Sequence, residues 1–363
     1  MHLKFQAFAL LIFVPWLLSA QSQFERKADS IAGREKNFNG VILLAEKGVP
    51  VYLKAIGFRD YASKTPLQTT DVFELASVSK QFTAFIIMKL KEKGQLSYDD
   101  LAEKYLDIPY KGISIRHLLT HTSGLPDYQE IMDQHWDKSK VADNKDILEY
   151  LRKYSPPSLF TPGEKYNYSN TGYVLLASIA EKVSDQDFIK LCREWIFQPA
   201  KMSSTDIRSP KQKKRTKNFT TGHIYVDSLK RFVRADSFPS SDYTIWLGNR
   251  KGPGRVSSVA EDLLRWDQVL YSDQLIKQTT LAAAFQPMIL NNADSSMYGF
   301  AWEIINDNVK GKVVLHTGDN PGYKTIIVRY LEQNKTIIIL SNNAYPFITR
   351  LSKKLGDLMF AGY

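Results

Sequence analysis

Three short stretches of the chain hold residue types that nucleophilic catalysis uses. The first, Phe73-Glu74-Leu75-Ala76-Ser77-Val78-Ser79-Lys80, closes a loop and opens a long apolar segment. At the start of a helix, Ser77 and Lys80 fall on one face, one turn apart, so the amine can reach the hydroxyl. A serine hydroxyl is a weak nucleophile until a nearby base takes its proton, and a desolvated lysine can be that base. The helix N-terminus adds partial positive charge where an oxyanion would develop. Alone the spacing is weak: a chain this long contains roughly one or two Ser-x-x-Lys by chance, and a capping serine beside a solvated lysine explains it as well.

The second stretch, residues 162–173, is a polar, aromatic turn leading into a helix and carries Tyr168 and Asn170. A phenol and a carboxamide two residues apart can point into one cleft, one as proton carrier, the other as hydrogen-bond donor and acceptor. A capping turn with packed tyrosines accounts for it equally. The third, Leu315-His316-Thr317-Gly318-Asp319-Asn320, ends a short strand, where a glycine lets another backbone or a ligand come close. A lone histidine in such a place is more often structural than catalytic. Two rival motifs are weaker. His117 and His121 have a zinc-compatible spacing, yet no glutamate follows His117 and no third ligand is evident. Gly252-x-Gly254 lacks a preceding strand and a third glycine, so it is no dinucleotide fingerprint. The Gly-x-Ser-x-Gly elbow of another serine hydrolase class is missing.

In order, Ser-x-x-Lys, Tyr-x-Asn and His-Thr-Gly resemble the boxes of the penicillin-recognising serine hydrolases, in particular the branch of class C β-lactamases, serine DD-carboxypeptidases and their esterase relatives. Further matching text is Ile115-Arg116-His117-Leu118-Leu119-Thr120-His121-Thr122-Ser123-Gly124-Leu125-Pro126, then Val259-Ala260-Glu261-Asp262-Leu263 before Trp266, and Tyr298-Gly299-Phe300-Ala301-Trp302. The resemblance implies that Ser77 is the acylated nucleophile, Lys80 its proton partner and Tyr168 the shuttle to the leaving group. It implies that Asn170 holds the substrate amide and that the backbone N–H groups of Ser77 and Asp319 form the oxyanion hole. His316, Thr317 and Gly318 would face the substrate, the first two its carboxylate. No cofactor or metal is implied. A histidine with an ordinary pKa near 6.5 would then let carboxylate recognition fade as pH rises through that value. Two departures, Gln198-Pro199-Ala200-Lys201-Met202 and Gly252-Pro253-Gly254-Arg255, lie outside the boxes and bear on substrate preference more than on chemistry. The functional expectation is an exported hydrolase acting through an acyl-enzyme on amide, lactam or ester bonds, DD-peptidase or esterase-like ahead of β-lactamase. Its alternative is a non-catalytic periplasmic binding protein that retains the fold.

Composition narrows the classes further. The chain has 363 residues, 44% of them hydrophobic, enough for a substantial core, and a single cysteine, Cys192, which closes no internal disulfide. Lysine and arginine exceed the acidic residues by 48 − 38 = 10, but the surplus is dispersed. The one concentration, Lys211, Lys213, Lys214, Arg215 and Lys217, has no interleaved aromatics and is expected to be a solvated loop, so nucleic acid is not an expected partner. A small molecule or peptide is. Residues 1–22 have the form of a secretion signal: Lys4, an apolar run over 5–18, then Ser19, Ala20 and Ser22. That run is short for a bilayer span and holds Gln6 and Pro15. The expectation is a cleaved, periplasmic or secreted protein with no lipid-anchor cysteine and no stable membrane insertion. The sequence leaves the oligomeric state open.

The elements that must position these residues follow from periodicity. Strand-like runs lie at both ends, 40–45 and 49–57 around Lys47-Gly48, then 312–316, 323–330 and 335–341. Helical spacing marks 24–36, 77–93, 113–120, 147–154, 172–183, 188–197, 258–270 and 347–359. The predicted fold class is α+β: an antiparallel sheet built from both chain ends and flanked by helices, with an inserted helical subdomain. Residues 23–363 are expected to be one catalytic domain, its α/β part about 23–76 and 255–363, its mainly helical part about 77–254.

Overall fold

Six strands make the main sheet; alternate residues of each leave on opposite faces, and both faces of its apolar centre are covered. They are β1 (Gly40–Glu46), β2 (Val49–Ile56), β3 (Glu303–Asp307), β4 (Gly311–Asn320), β5 (Tyr323–Tyr330) and β6 (Lys335–Ser341), in spatial order β3-β4-β5-β6-β1-β2. The structure, a computed structural model, describes residues 23–238 and 241–361; the expected signal, residues 1–22, lies outside the described residues. All neighbours are antiparallel, and the chain ends join where Gly40 faces Ser341 and Glu46 faces Lys335. The sheet is therefore assembled from both ends, as predicted.

Val41, Leu43, Ile338 and Leu340 face one core, while Ile42, Leu44, Ile337 and Ile339 face the other. The second core is closed by helix α1 (residues 23–33), through Ala28 and Ala32, and by a C-terminal helix, Ile348–Phe360, through Leu351 and Leu355. The first is closed by α2 (Lys80–Glu92), α3 (Asn170–Ser184) and α4 (Ala260–Val269), whose Leu263 and Trp266 are buried. No helix among the described residues is long and apolar enough to cross a membrane.

Several boundaries differ from expectation for local reasons. β4 runs on through Asn320, so the third box lies inside a strand instead of at its end. Edge strand β3 escaped the periodicity reading because Glu303, Asn306 and Asp307 make it mostly polar. The segment predicted as helix 188–197 is α-helical only over Phe188–Cys192 and continues as a π-helix over Arg193–Phe197. The basic run is no simple solvated loop: Pro210–Arg215 is a short helix capped by Ser209, with Lys213 turned inward. Cys192 is fully buried, and burial pushes its thiol pKa up.

A buried ion pair docks α4 on the sheet. Arg329 Nε donates to Asp267 Oδ1 at 2.5 Å and Nη2 to the Asp267 carbonyl at 3.1 Å, while Thr336 Oγ1 donates to Oδ2 at 2.7 Å. Both charged residues are at most 1% exposed. Removing one partner would strand the other charge without solvent. Asp267→Ala is expected to cost about 3–5 kcal/mol in denaturant unfolding, and Asp267→Leu with Arg329→Met to recover most of that loss. Equal losses in the single and double variants would show that the pair is not what holds this contact.

Candidate active site

Ser77 sits in a 3-10 turn, Ala76–Ser79, that leads directly into α2. The turn is held from both sides. Leu75 N–H donates to the Val256 carbonyl at 2.9 Å, Thr325 Oγ1 donates to the Leu75 carbonyl at 2.7 Å, and Val256 N–H donates to Ser79 Oγ at 3.1 Å. Ala76 adopts φ +49°, a left-handed conformation that costs an alanine energy and swings the chain so that Ser77 stays half-exposed.

Lys80, the first residue of α2, is 0% exposed. Its Nζ lies 3.0 Å from Ser77 Oγ, 2.9 Å from Asn170 Oδ1 and 2.9 Å from the Pro253 carbonyl. A neutral amine has two protons and one lone pair. Asn170 Oδ1 and the Pro253 carbonyl can only accept, so they take the two protons and leave the lone pair facing the serine hydroxyl. Burial pulls the Lys80 pKa well below the ordinary lysine value, the Arg250 charge adds to this, and Asp127 opposes it. Pro253 belongs to the Gly252-Pro253-Gly254-Arg255 departure, so that loop touches the chemistry directly, contrary to the sequence expectation.

Ser169 caps α3, its Oγ accepting the Gly172 N–H at 3.3 Å, which sets Asn170 at the first helical position. Tyr168 lies beside Ser77, whose side chain draws its pKa slightly down, and Lys80 Nζ stands 4.8 Å from its ring centroid. Tyr168 is 39% exposed, yet desolvation in the cleft dominates and raises its pKa. Ser77, Lys80, Tyr168 and Asn170 thus converge from two segments about ninety residues apart.

In β4, Gly318 is required by space: an added Cβ would lie 2.2 Å from the Leu75 carbonyl oxygen and 3.2 Å from the Ala76 Cβ. The third box is thereby pressed against the serine turn. Thr317 is half-buried there, and Asp319 is exposed. His316 departs from expectation. It is 2% exposed and packs away into a wall of aromatics, its Nε2 2.8 Å from Tyr298 Oη and its Nδ1 2.6 Å from the Thr317 carbonyl. Burial, then the nearby Lys80, drive its pKa down to about 3. The expected titration near 6.5 is therefore corrected: His316 is a neutral imidazole across the physiological range. His117 and His121 also part company. His117 Nδ1 accepts the Ser114 N–H at 3.2 Å in a capping box, whereas the His121 ring lies tilted against Tyr168, their centroids 4.2 Å apart.

Sequence reasoning missed Glu74, Arg255 and Lys213. Glu74, 3% exposed, accepts from Arg255 Nη1 at 3.1 Å and Asn320 Nδ2 at 2.6 Å, and pairs with Lys213. Burial alone would raise its pKa, but Arg255 and Lys213 outweigh that and bring it down to about 2. Asn320 is in β4 and Arg255 precedes the short strand Val256–Ser258, so one carboxylate ties the serine segment to both. No spacing signal announces such a cluster, because its members are scattered over the chain. A cavity of about 510 Å³ opens beside it, lined by Glu74, Lys213, Arg255, Asp236 and Tyr323 among others.

Known proteins share this arrangement of elements. The Beta-lactamase family description matches residues 24–354. Penicillin-binding protein 4* of Bacillus subtilis (strain 168) is 41% identical over 312 residues, covering 85% of this chain and 69% of that protein. The penicillin binding protein from Bacillus halodurans superposes with a TM-score of 0.77 at 25% identity, over 92% of this chain and 97% of that one. The D-amino acid amidase from Ochrobactrum anthropi SV3 has the same fold, with a TM-score of 0.74 at 22% identity over 93% and 98% of the two chains. With a buried amine beside a serine in a fold shared along almost its whole described length, this chain belongs to the Beta-lactamase family of serine hydrolases.

Proposed function

We propose that the protein is an exported serine hydrolase that transfers acyl groups to water through an ester on Ser77, acting on amide, lactam or ester carbonyls. One observation carries the reading: a buried amine, 3.0 Å from a half-exposed serine hydroxyl, with its other hydrogen-bond positions filled by Asn170 and the Pro253 carbonyl. Binding alone has no use for a desolvated amine at that distance. In acylation, Ser77 Oγ bonds to the carbonyl carbon while its proton passes to Lys80 Nζ. Tyr168, beside Ser77, then delivers its proton to the leaving nitrogen or oxygen as the carbonyl re-forms, and takes the proton held on Lys80 in its place, so that phenol and amine are both neutral in the acyl-enzyme. In deacylation, water adds to the ester carbon, its proton returns through the same groups, and Ser77 Oγ leaves with a proton restored.

The Ser77 and Asp319 N–H groups are the proposed oxyanion donors, at the positive end of the turn into α2 and on the adjacent strand. Asn170 and Thr317 line the path of the substrate. The proposed periplasmic or secreted location rests on Lys4, the apolar run 5–18 and the small residues after it. The relative named for penicillin binding supports a β-lactam as a useful acyl donor. Wall shape decides the natural substrate, and a DD-peptidase or esterase-like role ranks ahead of β-lactamase.

A fluorescent penicillin and a fluorophosphonate are expected to label the wild-type protein and to leave Ser77→Ala unlabelled. If neither reagent marks the wild type, the non-catalytic binding role replaces this one. Lys80→Met should lower the acylation rate by roughly 10²–10⁴-fold. The pH profile follows from the direction of the Lys80 shift. The basic amine exists above the folded-state pKa, so acylation falls tenfold per unit below it and is flat above. Because that pKa lies well under the ordinary value, the plateau should be reached before the pH at which an ordinary lysine titrates; a rate still climbing at about pH 10 would assign the base elsewhere.

A further inference from the structure

Behind Tyr168, three side chains at most 2% exposed form a hydrogen-bonded row. The Ser169 N–H donates to His121 Nδ1 at 3.0 Å, His121 Nε2 lies 3.2 Å from Tyr298 Oη, that oxygen lies 2.8 Å from His316 Nε2, and His316 Nδ1 lies 2.6 Å from the Thr317 carbonyl. The two ends fix every proton between them. A backbone amide only donates, so His121 Nδ1 is bare and its single proton sits on Nε2, pointing at Tyr298. A carbonyl only accepts, so His316 Nδ1 carries the proton and Nε2 is bare. The Tyr298 hydroxyl accepts from His121 and gives its own proton to His316. Each group then holds its neutral complement of protons and every contact pairs one donor with one acceptor. A second proton on His316 would turn Nε2 into a donor facing a hydroxyl that already accepts from His121. The phenol proton would then be left without a place in the row, at a buried site where an unpaired donor and a new charge are both costly.

The charged and titratable groups around the row reinforce this. Lys80 lies on the helical side of both histidines, the Tyr168 ring tilts against His121 and lies 6.3 Å from the His316 ring, and Glu303, on edge strand β3, pairs with Tyr298 through the backbone. Tyr298 itself is pushed well above the ordinary phenol pKa by burial, so it stays a donor. The cation facing the third box from β5, Lys324, is already paired with Asp319.

We infer that Tyr298 is a specificity-determining positioning residue: by capping His316 Nε2 it leaves His316 with no N–H and no charge to offer the leaving group of the substrate, so the enzyme favours acyl donors whose leaving group carries no carboxylate. This rests on the serine-hydrolase reading above. A carboxylate entering the cleft would lose water without meeting a counter-charge from His316, whereas a neutral amide or alcohol leaving group gives up little.

The test uses two acyl donors with the same acyl part, one ending in D-alanine with its free carboxylate and one in D-alaninamide. For the wild type, kcat/KM for the amide form should exceed that for the carboxylate form by roughly tenfold, with a ratio that changes less than about twofold between about pH 5.5 and 8.5. Tyr298→Phe frees His316 Nε2, and the ratio should then shift toward the carboxylate form by at least about fivefold on acidification over the same range. A wild-type preference for the carboxylate form, or a Tyr298→Phe profile identical to wild type, overturns the inference. A readout independent of activity covers a variant that fails to fold: nitrogen NMR of histidine-labelled wild-type protein should show His316 protonated at Nδ1 only over this range. An imidazolium or an Nε2–H form there also overturns it. Fluorophosphonate labelling of Ser77 in the same sample separates the two claims. Labelled serine with a charged His316 sinks this inference alone, and unlabelled serine sinks the hydrolase reading and the selectivity with it.

Discussion

The structure around the site is organised by the need to keep one amine dry. Lys80 has no contact with solvent, so each of its hydrogen-bonding positions must be met by protein oxygen, and the three that meet it come from the serine turn, the start of α3 and the loop before Val256. That demand fixes where those elements can lie. Gly252 shows the tightness: at φ +106°, an added Cβ would stand 2.1 Å from the Tyr173 carbonyl oxygen, and its own carbonyl accepts from Thr83 Oγ1 at 2.8 Å. Thus α2, α3 and the 252–255 loop are locked to one another at the position that brings Pro253 to Lys80. A displaced loop would leave an amine proton unpaired in a buried place, which costs about 1–3 kcal/mol.

Desolvation acts on the neighbouring groups with opposite signs and one result. It lowers the lysine and the histidines and raises the tyrosines, so Lys80, His121 and His316 shift toward the free base while Tyr168, Tyr173 and Tyr298 remain phenols. All of these neutral forms coexist without a counter-ion. A catalytic proton can then pass between Ser77 and Lys80 within a region whose resting state carries little charge. The charge that does form appears beside the polar atoms already aimed at it.

Much of this was legible in sequence, and the limits are physical. The strands at both ends and the long helices follow from local pattern, since periodicity reports burial, while the Ser77, Lys80, Tyr168 and Asn170 set follows from the order of motifs that carries the family resemblance. Local pattern says nothing of which way a strand residue points once another segment competes for the same space. His316 was therefore expected to face the substrate, and its commitment to Tyr298, eighteen positions away, was invisible. Lys213 likewise sits among exposed cations in sequence and turns inward because Glu74, 139 positions earlier, is buried opposite it. Strand β3 was hidden by its own polarity, which an edge position tolerates.

Left-handed non-glycine residues occur along the described chain, and three of them stand where these long-range commitments meet. Ala76, His121 and Arg255 all take left-handed conformations, at φ +49°, +57° and +81°, and none is a glycine. Each costs of the order of 1–3 kcal/mol and persists only if its surroundings over-determine it. The surroundings do so by different means. Ala76 is wedged between Leu75, fixed by Val256 and Thr325, and the close face of Gly318. His121 is held at both ring nitrogens by Ser169 and Tyr298. Arg255 is bound through Nη1 to Glu74 and to the Thr244 carbonyl, at 3.1 Å each. Replacing that arginine by glycine would relieve the strain but leave Glu74 short of a cation, so relaxation and neutralisation cannot both be had at this position. The buried pair is thus better understood as a device for register than for stability. It holds the serine segment, β4 and the 252–255 loop in the one arrangement that sets a dry amine against an accessible hydroxyl.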